Sequence, residues 1–308
     1  MRNKNILLVG GTGYIGWEIY QAWKPHNTVH YTGRRPPSRC NSTDLHNYRY
    51  LDLSNEESIR ETLLDHVYDY IIFLAAQVHI DMKTAPDTLS PGDALYESNV
   101  KGIENFMDVA APLSASIIYF SSMTVYDHQN SPPVKEGDIL RPFHTYGQSK
   151  MLGERKFIAS VESTSPSGAI VRIPGIFGGH RQGGYIHYLL QKFSEGAPVF
   201  LDVGSVTYWE TMYIYDLLGM LEDWMQNYHW SSPYCEVFNL GYGEPTDFIE
   251  TAYLLKKLTR SPSTIKLSQA PTYSPFYMDN TKISQYWAPT RTYEYSAALQ
   301  HYITESLT

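Results

Sequence analysis

The sequence predicts an α/β protein, a doubly wound parallel sheet with a smaller mixed α/β part toward the C-terminus. Two observations carry that prediction. Short continuous apolar runs recur along the first half of the chain, separated by stretches of helical period, the rhythm of strands joined by crossover helices. The first run ends in three glycines, Gly10, Gly13 and Gly16, placed where a tight strand-to-helix turn needs them. The 308 residues suit one sizeable α/β core or a nucleotide-binding domain with a smaller companion.

The first strand is expected over Asn5-Ile6-Leu7-Leu8-Val9, apolar throughout as a strand buried on both faces would be. It runs into Gly10-Gly11-Thr12-Gly13-Tyr14-Ile15-Gly16, and a helical pattern follows at Ile15, Ile19 and Trp23. Glycines here let a pyrophosphate approach the backbone, and the free amides of the following helix favour its charge. A glycine-rich turn without a ligand would not need the strand before it and the helix after it. The implied architecture is Rossmann-type.

The second strand, Thr28-Val29-His30-Tyr31-Thr32, should end where the adenosine ribose is read. An NAD site places a carboxylate there for the 2'-hydroxyl. This chain has Gly33-Arg34-Arg35, and paired guanidiniums suit a 2'-phosphate, so NADP (as NADPH) is expected over NAD. The alternative is a solvated loop shared with Pro36 and Pro37. A third strand around Tyr48-Arg49-Tyr50-Leu51 leads to Asp52 and Leu53. A fourth, Tyr70-Ile71-Ile72-Phe73-Leu74, leads to Ala75 and Ala76, small enough for a cofactor to lie close. A helix with Asn99, Gly102 and Asn105 precedes the fifth strand, Ile117-Ile118-Tyr119-Phe120, which runs into Ser121-Ser122-Met123-Thr124-Val125-Tyr126. Ligands of such sheets lie beyond the carboxyl ends of the strands, where Ser122 falls.

Tyr146 and Lys150 stand four residues apart, one helical turn, on one face. A phenol is a poor acid at neutral pH, and a lysine cation beside it favours the phenolate and moves it toward the working range. Chance alone would supply such a spacing among 26 tyrosines, so its weight comes from the strands and glycines upstream.

Composition narrows the partners. The apolar fraction is 43% and the net charge is -8, which argues against general nucleic-acid binding and against an anionic membrane surface. Cys40 and Cys235 are too few for a disulfide framework and no spacing suggests a metal, so a reducing cytoplasm is the default expectation. The N-terminal apolar run is short and lacks a small-residue cleavage site, and no apolar stretch has the length of a bilayer span. The sequon at Asn41-Ser42-Thr43 has no meaning without secretion.

Taken together, the glycine pattern, Ala75-Ala76, Asn99, the Ser-Ser-Met-Thr-Val-Tyr stretch and the Tyr146/Lys150 pair resemble the extended short-chain dehydrogenase/reductases, in particular their sugar-nucleotide epimerase, dehydratase and reductase branch. Val171-Arg172-Ile173-Pro174-Gly175-Ile176-Phe177-Gly178 and Phe238-Asn239-Leu240-Gly241 resemble later strands of the same family. The resemblance implies that Tyr146 exchanges a proton with a substrate oxygen. Lys150 lowers its pKa and holds the nicotinamide ribose, and Ser122 hydrogen-bonds the same oxygen, with Thr124 able to share that work. It also implies a cofactor envelope of Gly10, Thr12, Gly13, Tyr14, Ile15, Gly16, Arg34, Arg35, Asp52, Leu53, Leu74, Ala75, Ala76, Asn99, Tyr146, Lys150 and Pro174.

Within the family, 4,6-dehydratases carry an Asp-Glu pair where this chain has Met123-Thr124, so dehydration is not expected. Reduction of a ketone remains, or epimerisation by oxidation and re-reduction. Arg34 favours a net reductase drawing on NADPH, and the expected substrate is the 4-keto group of a nucleotide-linked deoxysugar. The alternatives are an epimerase that recycles its cofactor, a reductase of a non-nucleotide ketone, and a non-catalytic NADP-sensing protein. Residues 1–177 are expected to form the dinucleotide-binding domain, with returning elements at about 211–242, and 178–308 the substrate domain. Two arginines that commonly grip the diphosphate are missing: Trp209 stands at one position and Gln269 or Ala270 at the other. Arg181 is the candidate substitute, and Trp209 is either a stacking platform for a base or sugar or a core residue. His180 and His187 lack the spacing of metal ligands. A homodimer through the helix of Tyr146 is expected from the resemblance.

Overall fold

The computed structural model describes residues 1–78, 89–110, 112–164, 167–201, 208–230, 234–268, 275–286 and 293–306. Its main sheet has seven strands. Six of them come from residues 1–173: β1 (Asn5–Val9), β2 (Thr28–Gly33), β3 (Tyr48–Tyr50), β4 (Tyr70–Phe73), β5 (Ser116–Ser122) and β6 (Gly168–Ile173). The seventh, Cys235–Asn239, lies beside β6, and the order runs Cys235–Asn239, β6, β5, β4, β1, β2, β3. The pairs β1–β2, β1–β4, β2–β3, β4–β5 and β5–β6 are all parallel. The chain therefore winds outward from β1 in both directions, and the reversal between β1 and β4 opens a crevice at their carboxyl ends. This is the Rossmann-type fold.

Each expected strand is present, β1 with the expected bounds and the others with ends shifted by at most two residues. β5 extends through Ser122, because Ser121 and Ser122 pair with Arg172 and Ile173 of β6. On one face, Leu7, Val9, Ile71, Phe73, Ile117 and Tyr119 meet Ile59, Leu63, Ile103, Phe106, Met107, Phe157 and Val161 of the helices. Each such side chain contributes about 1.5–3 kcal/mol by leaving water, which fixes the strand ends and with them the loops above.

The chain divides into two compact units. One comprises Met1–Asn130, Glu136–Ile173 and Glu222–Phe238, the other Ser131–Lys135, Pro174–Leu221 and Asn239–Thr308. The division falls at Ile173/Pro174 and not at 177, because strand Gly175–Phe177 pairs with Thr211–Tyr213 of the second unit. Among the returning elements a helix runs from Ile214 to Asn227, and the last helix runs from Tyr295 to Ser306.

In the second unit one carboxylate organises the main chain. Glu210 is fully buried, and its Oε1 accepts from the Gly243 amide at 3.1 Å while Oε2 accepts from the Met278 amide at 2.9 Å. Burial pushes this carboxyl up to about 7, against the lowering effect of the amides of Met278, Gly243 and Tyr242. With its folded pKa above the unfolded one, Glu210 supports the fold most fully below about pH 4.5, and that support fades as pH rises toward about 7. Glu210→Gln sets an NH2 group against backbone N–H donors, and urea unfolding at pH 8 is expected to show a loss of about 1–3 kcal/mol. The variant should also lack the decline in stability between pH 4.5 and 7.

Candidate functional site

At the carboxyl ends of β1, β2 and β4 the first unit holds a cleft of about 740 Å³. Its wall brings together Gly10, Thr12, Gly13, Arg34, Asp52, Leu53, Leu74, Ala75 and Ala76 of the residues expected around a dinucleotide. Gly10 has φ +81°, and a Cβ there would stand 2.6 Å from the Ala75 backbone. Only glycine both adopts that conformation freely and leaves that space. Thr32, which sequence reasoning passed over, staples the loop: its Oγ1 accepts from the Gly10 amide at 3.1 Å and donates to the Leu8 carbonyl at 3.2 Å. The glycine loop and the loop after β4 thus form a cradle in which an added methyl group at Gly10 would force the two apart, and the residues present fit a dinucleotide.

Tyr14, Ile15 and Gly16 open the Tyr14–Trp23 helix behind the cradle. Arg34 is exposed in the wall, and Arg35 beside it is exposed. Asp52 shares that wall. Its carboxylate accepts from the Ser54 amide at 3.0 Å and the Ser54 hydroxyl at 2.7 Å, and these bonds, with the nearby Arg34 charge, hold it below the usual carboxylate range. Pro174 lies in the second unit.

A second group surrounds the end of β5. Ser122 caps a one-turn 3-10 helix, Met123–Val125, and its Oγ accepts from the Thr124 amide at 3.2 Å and from Thr124 Oγ1 at 3.0 Å. The helix Thr145–Ser163 carries Tyr146 and Lys150 in its first two turns. His144 caps it, with Nδ1 accepting from the Gly147 amide at 3.0 Å, and burial pulls that imidazole below its ordinary pKa, which suits an acceptor nitrogen. Gly147 explains the close approach of the two segments: a Cβ there would lie 2.3 Å from the Thr124 carbonyl oxygen.

Lys150 is buried and donates to the Phe120 carbonyl at 2.7 Å, with its Nζ 4.8 Å from the centroid of the Tyr119 ring. Burial pulls the ammonium down to about 7, and Glu154 opposes the shift. The lysine is therefore a weaker cation at neutral pH than its spacing alone suggests.

Asn99 ties the two groups together. It sits in a π-helical turn, Glu97–Lys101, a local widening of the helix that sequence period does not reveal. Its Oδ1 accepts from the Gln77 amide at 2.7 Å, and its Nδ2 donates to the Gln77 carbonyl and to Ser149 Oγ, both at 2.9 Å. Ser149 Oγ in turn donates to the Tyr146 carbonyl at 2.8 Å. A side chain thus pairs with the loop after β4 as a strand would, and passes that constraint to the residue carrying the phenol.

In the second unit, Arg181 Nε donates to the Gly183 carbonyl at 3.0 Å and Nη1 donates to the Ile176 carbonyl. A diphosphate would have to compete with these oxygens. Trp209 is half-buried, pairs with Thr246, and lays its ring 5.4 Å from that of Phe276. Gln269 and Ala270 lie outside the described residues. Among the described residues no group of three His, Cys, Asp or Glu side chains is placed to hold a metal, and no helix is long and apolar enough to cross a membrane.

Residues 4–232 match the family described as RmlD substrate binding domain. The chain belongs to that family. With the Rossmann-type sheet and the Tyr146/Lys150 helix, this RmlD-type chain is an extended short-chain dehydrogenase/reductase of the sugar-nucleotide branch. The methionine adenosyltransferase 2 subunit beta of Xenopus laevis is 29% identical over 204 residues, 65% of this chain and 52% of that protein. The dTDP-4-dehydrorhamnose reductase of Escherichia coli (strain K12) is 29% identical over 152 residues, 49% of this chain and 46% of that protein. The RmlD-type chain thus spans about half the length of the curated relatives it matches. Among solved structures, the UDP-glucuronic acid 4-epimerase of Bacillus cereus, in complex with UDP-glucuronic acid and NAD, superposes with a TM-score of 0.81 at 18% identity, covering 98% of each chain. The UDP-N-acetylglucosamine 4-epimerase of Methanobrevibacter ruminantium M1 superposes with a TM-score of 0.81 at 16% identity, covering 100% of this chain and 99% of its own. At such identities the likeness is one of fold.

The Ser149 bridge is testable without any ligand. Ser149→Ala strips buried partners from Asn99 and the Tyr146 carbonyl, and is expected to cost about 1–3 kcal/mol in urea unfolding. An unchanged midpoint would mean that the bridge carries no stability.

Proposed function

We propose that this protein is an NADPH-dependent reductase of a keto group, with the 4-keto group of a nucleotide-linked deoxysugar as the favoured substrate. The observation that carries the reading is Arg34 in the cleft wall just past the end of β2, where an NAD site would set a carboxylate. A guanidinium there suits a 2'-phosphate and a cofactor drawn from the NADPH pool. The Escherichia coli relative, named as a dTDP-4-dehydrorhamnose reductase, supports the same substrate class.

When bound, the dinucleotide supplies the hydride. Gly10, Thr12, Gly13, Ala75 and Ala76 would hold it, with Arg34 at its adenosine end. As the substrate carbonyl oxygen gains negative charge, the Ser122 hydroxyl donates a hydrogen bond to it, and Tyr146 transfers its phenolic proton to it. Thr124 orients Ser122 through the 3.0 Å bond between their hydroxyls. Lys150, in its charged form, stabilises the phenolate that the transfer leaves behind.

A second reading has its own support. The Xenopus laevis relative is named as a subunit of an adenosyltransferase, which favours a role in which the dinucleotide-binding fold serves an assembly. Such a role requires the cradle and not the proton donor.

The experiments separate these readings. Denaturing the purified protein and identifying any released dinucleotide, then titrating the emptied protein with NADPH and NADH, is expected to give tighter NADPH binding. Tightly retained NAD would favour an epimerase that recycles its cofactor. Arg34→Ala is expected to weaken NADPH binding at least tenfold more than NADH binding, and equal losses would remove the 2'-phosphate role. Tyr146→Phe should bind NADPH as the wild type does and lose most turnover of 4-keto sugar nucleotides, in the range of 10²–10⁴-fold typical of a lost general acid. Wild-type turnover in that variant would take the phenol out of the mechanism, and absence of turnover in the wild type would favour the subunit role.

A further inference from the structure

One turn beyond Lys150 the same helix carries Glu154, which the chemistry above leaves unused. Glu154 is 2% exposed and Arg172 of β6 is 3% exposed. They face each other in a two-pronged contact: Arg172 Nε donates to Oε1 at 2.9 Å and Nη2 to Oε2 at 2.7 Å. The remaining Arg172 nitrogen, Nη1, donates to the Tyr126 hydroxyl at 2.9 Å and the Glu136 carbonyl at 3.0 Å. Lys150 and Glu154 are four residues apart in one helix and so share its inward face.

Two cations and one carboxylate therefore occupy this interior. A buried carboxylate can offset one full charge, and the paired bonds assign that offset to Arg172. Lys150 keeps the Phe120 carbonyl dipole, the Tyr119 ring face and whatever field of Glu154 the guanidinium leaves uncancelled. Among the described residues the titratable groups around it are Tyr119 on β5, Tyr146 and Glu154 on its own helix, and Arg172 on β6, paired with Glu154. Burial drives the Tyr119 hydroxyl far above its ordinary range, so that ring stays neutral. Glu154 is thus the group that opposes the effect of burial on Lys150.

We propose that Glu154 and Arg172 are positioning residues that set the charge state of Lys150, the carboxylate holding its proton and the guanidinium limiting that hold. The inference deepens the reductase reading and rests on Tyr146 and Lys150 acting as its proton-donating pair. Its consequence is a lysine poised between its two forms near neutral pH, where a small change in the neighbouring field alters how well a phenolate is stabilised.

The test follows Lys150 directly. In the full chain labelled with 13C only at lysine Cε, the Lys150 resonance is identified by its loss in Lys150→Met and followed against pH, with no substrate or dinucleotide present. The wild-type resonance is expected to titrate near pH 7. Glu154→Gln should move that midpoint down by about one pH unit or more, a shift worth about 1.4 kcal/mol. Because a lone buried guanidinium threatens folding, the double variant Glu154→Gln/Arg172→Met is measured as well; it removes both charges together, a replacement that is often neutral or stabilising. A lowered midpoint in the folded double variant supports the proposal. A midpoint unmoved from wild type, or a wild-type lysine that titrates in the ordinary range near 10, overturns it. Because the measurement needs no turnover, its failure is separate from that of the reductase reading, which Tyr146→Phe decides.

Discussion

The arrangement of the site depends on one close contact, the first turn of the Thr145–Ser163 helix against the turn that follows β5. The contact exists because Gly147 has no side chain to hold the Thr124 carbonyl away. Once the helix is seated there, its pitch carries Lys150 to the Phe120 carbonyl and Ser149 to Asn99. Asn99 then passes the constraint to Gln77, in the wall of the cleft. The backbone that carries the phenol is fixed by the close approach at Gly147 and by the Ser149 bond to the Tyr146 carbonyl, with the helix cap at His144 completing the set.

The second theme is charge placed against the bulk composition. The chain is acidic overall, yet it buries Lys150 and Arg172 in the first unit and lines its cleft with Arg34. Each cation meets a different fate. Arg172 is neutralised by two charged hydrogen bonds, Lys150 is largely left to burial, and Arg34 faces solvent across from the Asp52 carboxylate. A phosphate arriving at Arg34 must therefore work against the field of Asp52, so local geometry and not net charge decides whether the cleft accepts an anion.

Much of this was legible in the sequence because it lies in short-range pattern. The β1 run, the glycines after it, the alanines after β4 and the Tyr146/Lys150 spacing each announce a backbone element or a shared face, and the sheet order follows from parallel crossovers. What the sequence hid depends on partners far along the chain or on local departures from regular helix. The π-turn that presents Asn99 has the same composition as an ordinary helix. Thr32 reads as one more strand residue until its hydroxyl is seen holding Gly10. Arg172 lies in an apolar strand and Glu154 on a polar-looking helix face, and nothing short of their pairing across the fold distinguishes either from a surface charge. Arg181, attractive as an isolated cation in a glycine-rich loop, turns its guanidinium onto the Gly183 carbonyl of that loop and the Ile176 carbonyl of the strand before it.

Glu210 shows how one buried side chain can hold separate segments by their main chain. It meets Tyr242, Gly243 and Met278 through their amides. Since every residue but proline offers the same amide, the segments it gathers are addressed by main chain and not by side-chain identity. A single carboxylate thus anchors segments far apart in the chain by their backbone, and its loss would release them together.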